Sequence, residues 1–184
     1  RAKIEVQEYV ESDHYGKFVV EPFERGFGTT IGNALRRVLL SSLPGAAVYS
    51  IKINNVYHEF TAIPGVEDDV TSIILNIKDL IMTISDDDVY TLHINEKGPK
   101  VVTAGDILCP TNVEILNKNH VITTLEEGGE LVMELKARVG RGYVSADTNK
   151  MLYQGSSQGI GTIYTDSVYT PIERVSYSVE PTRV

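Results

Sequence analysis

The sequence predicts an α+β fold built mainly on antiparallel sheet. Alternating apolar and polar runs recur along the chain, Asn-, Gly- or Asp-bearing gaps separate them, and only two segments carry a helical period. With 184 residues, 42% of them hydrophobic, the chain can bury a sizeable core as one large domain or two small joined ones.

Taken in order, "AKIEVQEYV" and "GKFVVEPF" alternate on either side of "ESDHYG" and read as a first pair of strands. A helix follows, with Thr29 as its N-cap. "AAVYSIKINNVYHEF" reads as a hairpin whose Asn54-Asn55 pair suits the positive φ of a tight turn. The second helix is "EDDVTSIILNIKDL": Val70, Ile73, Ile74 and Ile77 form its apolar stripe, Asp68 and Asp69 sit where the helix dipole favours anions, and Leu75 and Lys78 fall beside the stripe. "IMTISDDDVYTLHI" and "HVITTLEEGGELVMELKARV" read as further hairpins, and "GTIYTDSVYT" as the partner of "RVSYSVE". "ADTNKMLYQGSSQGIG" is the one long polar segment suited to a mobile loop.

The first helix poses the functional question, because "ERGFGTTIGNALRRVLL" combines glycines with adjacent arginines. Gly26, Gly28 and Gly32 have the spacing G-x-G-x-x-x-G, one residue longer than the dinucleotide fingerprint, and the Lys-[Ser/Thr] of a phosphate loop is missing. The strands around it read as hairpins where a dinucleotide site needs a parallel β-α-β unit. Nucleotide binding is therefore not expected, and the glycines read as serving a tight turn from strand into helix. At about 100° per residue, Ile31, Ala34, Leu35, Val38 and Leu39 gather on one face, the expected core side. Asn33, Arg36, Arg37 and Leu40 gather on the other, and an apolar anchor between arginines is the composition of a protein contact.

The net charge of −8 argues against direct nucleic-acid contact. The imbalance is local: residues 1–45 and 171–184 are each charge-neutral, and residues 46–170, with nine basic and seventeen acidic side chains, carry all of it. No stretch approaches the roughly 18 apolar residues of a membrane span, and the single cysteine, Cys109, forms no internal disulfide, so a cytoplasmic protein is expected. Asp86, Asp87 and Asp88 read as a solvated turn. His14, His58, His93 and His120 lack the spacing of a local metal pair. Neither catalytic residues nor a cofactor is expected in this chain.

Three stretches, "EPFERGFGTTIGNALRRVLLSSLPGAAV", "VYHEFTAIPGVEDDVTSIILNIKDL" and "YTPIERVSYSVEPTRV", closely resemble the N-terminal domain of the α subunit of bacterial DNA-directed RNA polymerase, and the similarity runs along essentially the whole chain. The resemblance implies a homodimeric assembly scaffold for the β and β′ subunits. It implies a dimerisation subdomain split between residues 1–45 and 171–184, with a β-rich subdomain inserted at 46–170. It places the β/β′ interface on Arg37, Leu40 and Lys78, to which the helical projection adds Asn33 and Arg36, and it places the packing of the dimerising subdomain on Ile31, Ala34, Leu35 and Val38. It also implies a longer parent, with a further helix completing the dimer and a separate promoter-binding domain beyond Val184. The family's "RGRGY" turn reads "VGRGY" here, with Val139 in place of the first arginine, and its Gln-Pro-Ile-Gly reads "QGIG" at 158–161. A free-standing β-rich ligand module is the alternative; it would hold Arg36, Arg37 and Leu40 in a concave pocket, whereas a scaffold holds them on an open surface.

Overall fold

A computed structural model describes residues 2–155 and 159–181; Ser156, Ser157 and Gln158 of the polar segment, and with them part of "QGIG", lie outside the described residues. The chain forms two compact units, residues 1–40 with 174–184 and residues 41–173. The smaller unit opens with β1 (Lys3–Val10) and β2 (Tyr15–Glu21), paired antiparallel from Lys3 opposite Glu21 to Val10 opposite Tyr15, with a bulge between Val6 and Glu8. The gap between them closes through a short 3₁₀ turn at Glu11–Asp13 and His14 in the left-handed region at φ 50°. Helix α1 (Phe27–Ser41) starts two residues ahead of Thr29, because Gly26 at φ +88° turns the chain so that the Phe27 N–H donates to the Glu24 carbonyl at 3.1 Å. Among the described residues of this unit none is buried.

The larger unit contains β3 (Pro44–Ile53), α2 (Val70–Lys78), β4 (Met82–Ile84), β5 (Tyr90–Lys97), β6 (Lys100–Thr103), β7 (Val113–Ile115), β8 (Val121–Leu125), β9 (Glu130–Arg141), β10 (Tyr143–Val144), α3 (Ala146–Tyr153), β11 (Ile163–Tyr164) and β12 (Ser167–Val168). Its main sheet is four-stranded and antiparallel, in the order β11-β3-β9-β5. The inward residues line up across it: Ile51 and Leu92 both face Leu135, and Ile53 and Ile94 both face Met133. All six are at most 3% exposed. Helix α2 lays Val70, Ile73 and Ile77 into the same core. Asp69 caps it, accepting from the Ser72 N–H at 2.9 Å, while Asn76 and His120 tie its end to β8.

The fold is α+β and sheet-rich, but the strands choose different partners from those read in the sequence. Asn55 does take positive φ (62°), yet β3 turns there and pairs with β9, eighty residues on, rather than with "VYHEF". "IMTISDDDVYTLHI" splits into β4, which pairs with β7, and β5, which pairs with β9. "HVITTLEEGGELVMELKARV" splits the same way, β8 joining β6 while β9 enters the main sheet. "GTIYTDSVYT" divides between β3 and β10, and "RVSYSVE" carries no strand. The physical reason is shared: a buried central strand such as β9 satisfies both of its edges, so it captures runs that local turns would otherwise fold back on themselves. The expected polar loop contains a third helix, α3, which Ser145 caps by accepting from the Thr148 N–H at 3.2 Å.

Candidate protein-interaction site

Gly28 and Gly32 occupy one stripe of α1, and residues 175–179 run along it. A methyl group on Gly28 would lie 2.7 Å from Val179 Cγ1, and one on Gly32 would lie 2.4 Å from Tyr177 Cδ2. One turn further on, the Arg36 Nε–H donates to the Val175 carbonyl at 3.1 Å. The periods match: four helical residues rise about 6 Å and two residues of extended chain about 6.6 Å. Each alternate residue of "VSYSV" therefore meets a successive turn of the helix. The Tyr177 hydroxyl donates to Asn33 Oδ1 at 2.6 Å and fixes the register. These glycines admit a peptide segment, where sequence reading assigned them to the turn alone; only Gly26 does that.

Of the five residues expected at a subunit contact, Asn33 and Arg36 are thus engaged within their own unit. Arg37 is exposed and Leu40 is partly buried. The expected core face also differs. Leu35 is 46% and Val38 51% exposed, Ala34 is exposed and Ile31 partly so. The unit holds one helix and a two-stranded ribbon, and the segment that covers α1 lies on the glycine stripe. Phe27, Ile31, Leu35 and Val38, at i, i+4, i+8 and i+11, consequently make an open apolar stripe, and Ile4, Val6 and Phe18 on the ribbon are exposed as well.

Lys78, the fifth residue, ends α2 in the larger unit. Its Nζ donates to Asp166 Oδ2 at 2.9 Å, both side chains being about three-tenths exposed. Asp166 sits between β11 and β12, and its other oxygen accepts the Ala146 N–H at the start of α3 at 2.7 Å. The Lys78 ammonium, and after it that backbone N–H, hold the Asp166 carboxyl below the ordinary carboxylate range. Tyr143 acts on the same carboxyl in the same direction, more weakly. A cleft beside the pair is lined by Ala47, Val48, Leu80, Met82 and Val168, and none of Asn33, Arg36, Arg37 or Leu40 lines it.

Comparison with known proteins bears on what these surfaces serve. The family described as RNA polymerase Rpb3/RpoA insert domain matches residues 51–170, which fall inside the larger unit. The chain is 53% identical over all 184 residues to the DNA-directed RNA polymerase subunit alpha of Alkaliphilus metalliredigens. It is 53% identical to the same subunit of Desulforamulus reducens and 52% identical to that of Clostridium botulinum. This chain belongs to the bacterial RNA polymerase α-subunit family. It spans 57% of the length of each of these α subunits.

In this α-subunit chain two of the remaining chemical candidates, Asp86 and Cys109, are each held by neighbours. Asp86 accepts from the Tyr90 hydroxyl at 2.5 Å, from Asn112 and from the Asp88 N–H, which lowers its pKa and pushes that of Tyr90 up to about 12. Burial pushes the Cys109 thiol up, away from the thiolate a nucleophile needs. Sequence reading missed Asp166, Asn149 and Tyr177. The alternation of Val175, Tyr177 and Val179 predicts a strand, whereas the segment forms none. Asn149 lies in the segment expected to be a loop, and Asp166 lies within the expected strand run "GTIYTDSVYT", where no motif marks it. Among the described residues no helix is long and apolar enough to cross a membrane.

Proposed function

We propose that this chain is the non-catalytic assembly scaffold of a bacterial DNA-directed RNA polymerase. In this reading the smaller unit is the split dimerisation subdomain, and the larger unit is the inserted subdomain. The dimer binds the β and β′ subunits in the cytoplasm, and the chain itself touches no nucleic acid. The observation that carries the reading is the smaller unit's lack of any buried residue among those described, combined with the open stripe of Phe27, Leu35 and Val38. A unit without its own core needs apolar surface from elsewhere, and a second copy of α1 supplies a self-complementary stripe. Arg37 and Leu40, three residues apart on α1, form one contact for a large subunit, and Lys78 with Asp166 forms another.

Co-purification of the tagged full-length protein tests this. Two very large partner subunits should come down with it, and the purified protein should sediment as a dimer at micromolar concentration. A strictly monomeric full-length protein that retains neither partner overturns the proposal.

A further inference from the structure

Asn149 of α3 is 1% exposed, and it grips the chain on both sides of Asp166. Its Nδ2 donates to the Thr165 carbonyl at 2.8 Å and to Ser167 Oγ at 2.9 Å. The proton assignment is forced. The Thr165 carbonyl can only accept, and the Ser167 hydroxyl gives its own proton to the Val48 carbonyl of β3 at 2.9 Å, so the amide must supply two N–H groups. Asn149 Oδ1, at the far end, is buried with no hydrogen-bond partner among the described residues. The side chain is therefore used wholly as a double donor, and its two acceptors are the residues immediately before and after the carboxylate that holds Lys78. About one turn earlier, α3 also presents the Ala146 N–H to that carboxylate. One helix thus fixes Asp166 at its flanks through Asn149 and at its oxygen through its first turn.

We propose that Asn149 is the positioning residue for the Lys78–Asp166 pair, locking the residues around Asp166 so that the pair is held in one geometry for a large-subunit contact. Its bearing on assembly rests on the reading of Lys78 given above; the positioning itself does not.

The test measures Lys78 directly. Acylation of lysines by a limiting N-hydroxysuccinimide ester, followed by peptide mass spectrometry, gives the Lys78 rate relative to Lys97 in the full-length protein. Asp166→Asn, which removes the anion, sets the upper limit. Asn149→Ala should raise relative Lys78 labelling several-fold, toward that limit, although residue 149 does not touch Lys78. Ser167→Ala, which takes away one of the two acceptors, should raise it by less and serves if Asn149→Ala fails to fold. Folded Asn149→Ala or Ser167→Ala protein that labels at the wild-type rate, while Asp166→Asn labels faster, overturns the proposal. Capture of the large subunits is measured in parallel: loss in Asn149→Ala and Lys78→Ala together supports the link to assembly. Unchanged capture in Lys78→Ala, with faster labelling in Asn149→Ala, removes Lys78 from the interface and leaves the positioning role standing.

Discussion

Gly28 and Gly32 admit Val179 and Tyr177, and any side chain at these positions competes with the segment for the same space. Gly32→Val should displace Tyr177 from α1 and break its bond to Asn33, an overpacking that costs about 1 to 3 kcal/mol. Limited proteolysis would then cut within 174–181 faster in the variant; an unchanged rate would show that the segment does not depend on the glycine. Substitution of Arg36 acts on the same segment, since its Nε–H holds the Val175 carbonyl. Arg37 and Leu40 are the sharper probes of a partner. In the full-length protein, Arg37→Ala or Leu40→Ala should weaken capture of the β subunit by about 1 to 2 kcal/mol, the scale of an interface hot spot. Dimerisation should be intact in both, as read by sedimentation. Helical projection placed the arginines together from sequence alone. It could not show that a segment from the other end of the chain already holds two of the neighbouring polar residues, because that contact spans 139 residues for Arg36 and 144 for Asn33.

At the level of elements, periodicity located the strands and missed their partners. β1 and β2 pair with each other as adjacent runs should, because the short turn between them closes at little entropic cost. β9 instead joins β3 and β5, and its inward Leu131, Met133 and Leu135 are at most 1% exposed. The alternation of "ELVMELKA" records which side is buried, whereas the choice of neighbour is made by long-range burial that no short window contains. α3 was hidden for a related reason. Its stability comes from its cap and from tertiary bonds by Asn149 and Tyr153, the latter stacked on Tyr49 at 4.0 Å between ring centroids, and a weak periodic pattern reports none of these. Ser145→Ala should therefore cost about 1 kcal/mol, seen as faster hydrogen exchange in α3 with α2 unaffected. The Asp166 junction adds a pH dependence whose sign is fixed. Its folded pKa is lowered, so its contribution is present above the unfolded carboxylate value of about 3.9 and is lost as pH falls through the folded value. The gap in urea midpoint between wild type and Asp166→Asn should be widest near neutrality and should close on acidification; a gap that stays constant to low pH would remove the ion pair as its cause.

For the whole molecule, the two units face different physical problems. The larger one has a continuous core that includes Ile73, Leu92, Leu131 and Leu135, all fully buried, and is equipped to hold its own fold. The smaller one leaves Phe27 at 53%, Leu35 at 46% and Val38 at 51% exposed on one helix stripe, with Ile4 and Val6 on its ribbon exposed still further. If a second copy covers that stripe, a charge placed in it is desolvated on association and left unpaired, which opposes the dimer strongly and the single chain hardly at all. Val38→Glu in the full-length protein should accordingly sediment as a monomer at concentrations where the wild type is a dimer, and it should capture neither large subunit. The melting of the larger unit should be unchanged, since residue 38 lies outside it. Leu35→Ala should follow the same direction more weakly, shifting the dimer equilibrium instead of lowering the melting of a core that Leu35 does not enter. Arg37→Ala supplies the contrast, remaining dimeric while losing capture. A Val38→Glu protein that stays dimeric would move the self-association surface off this stripe; one that melts early throughout would show that the stripe is packed within a single chain after all.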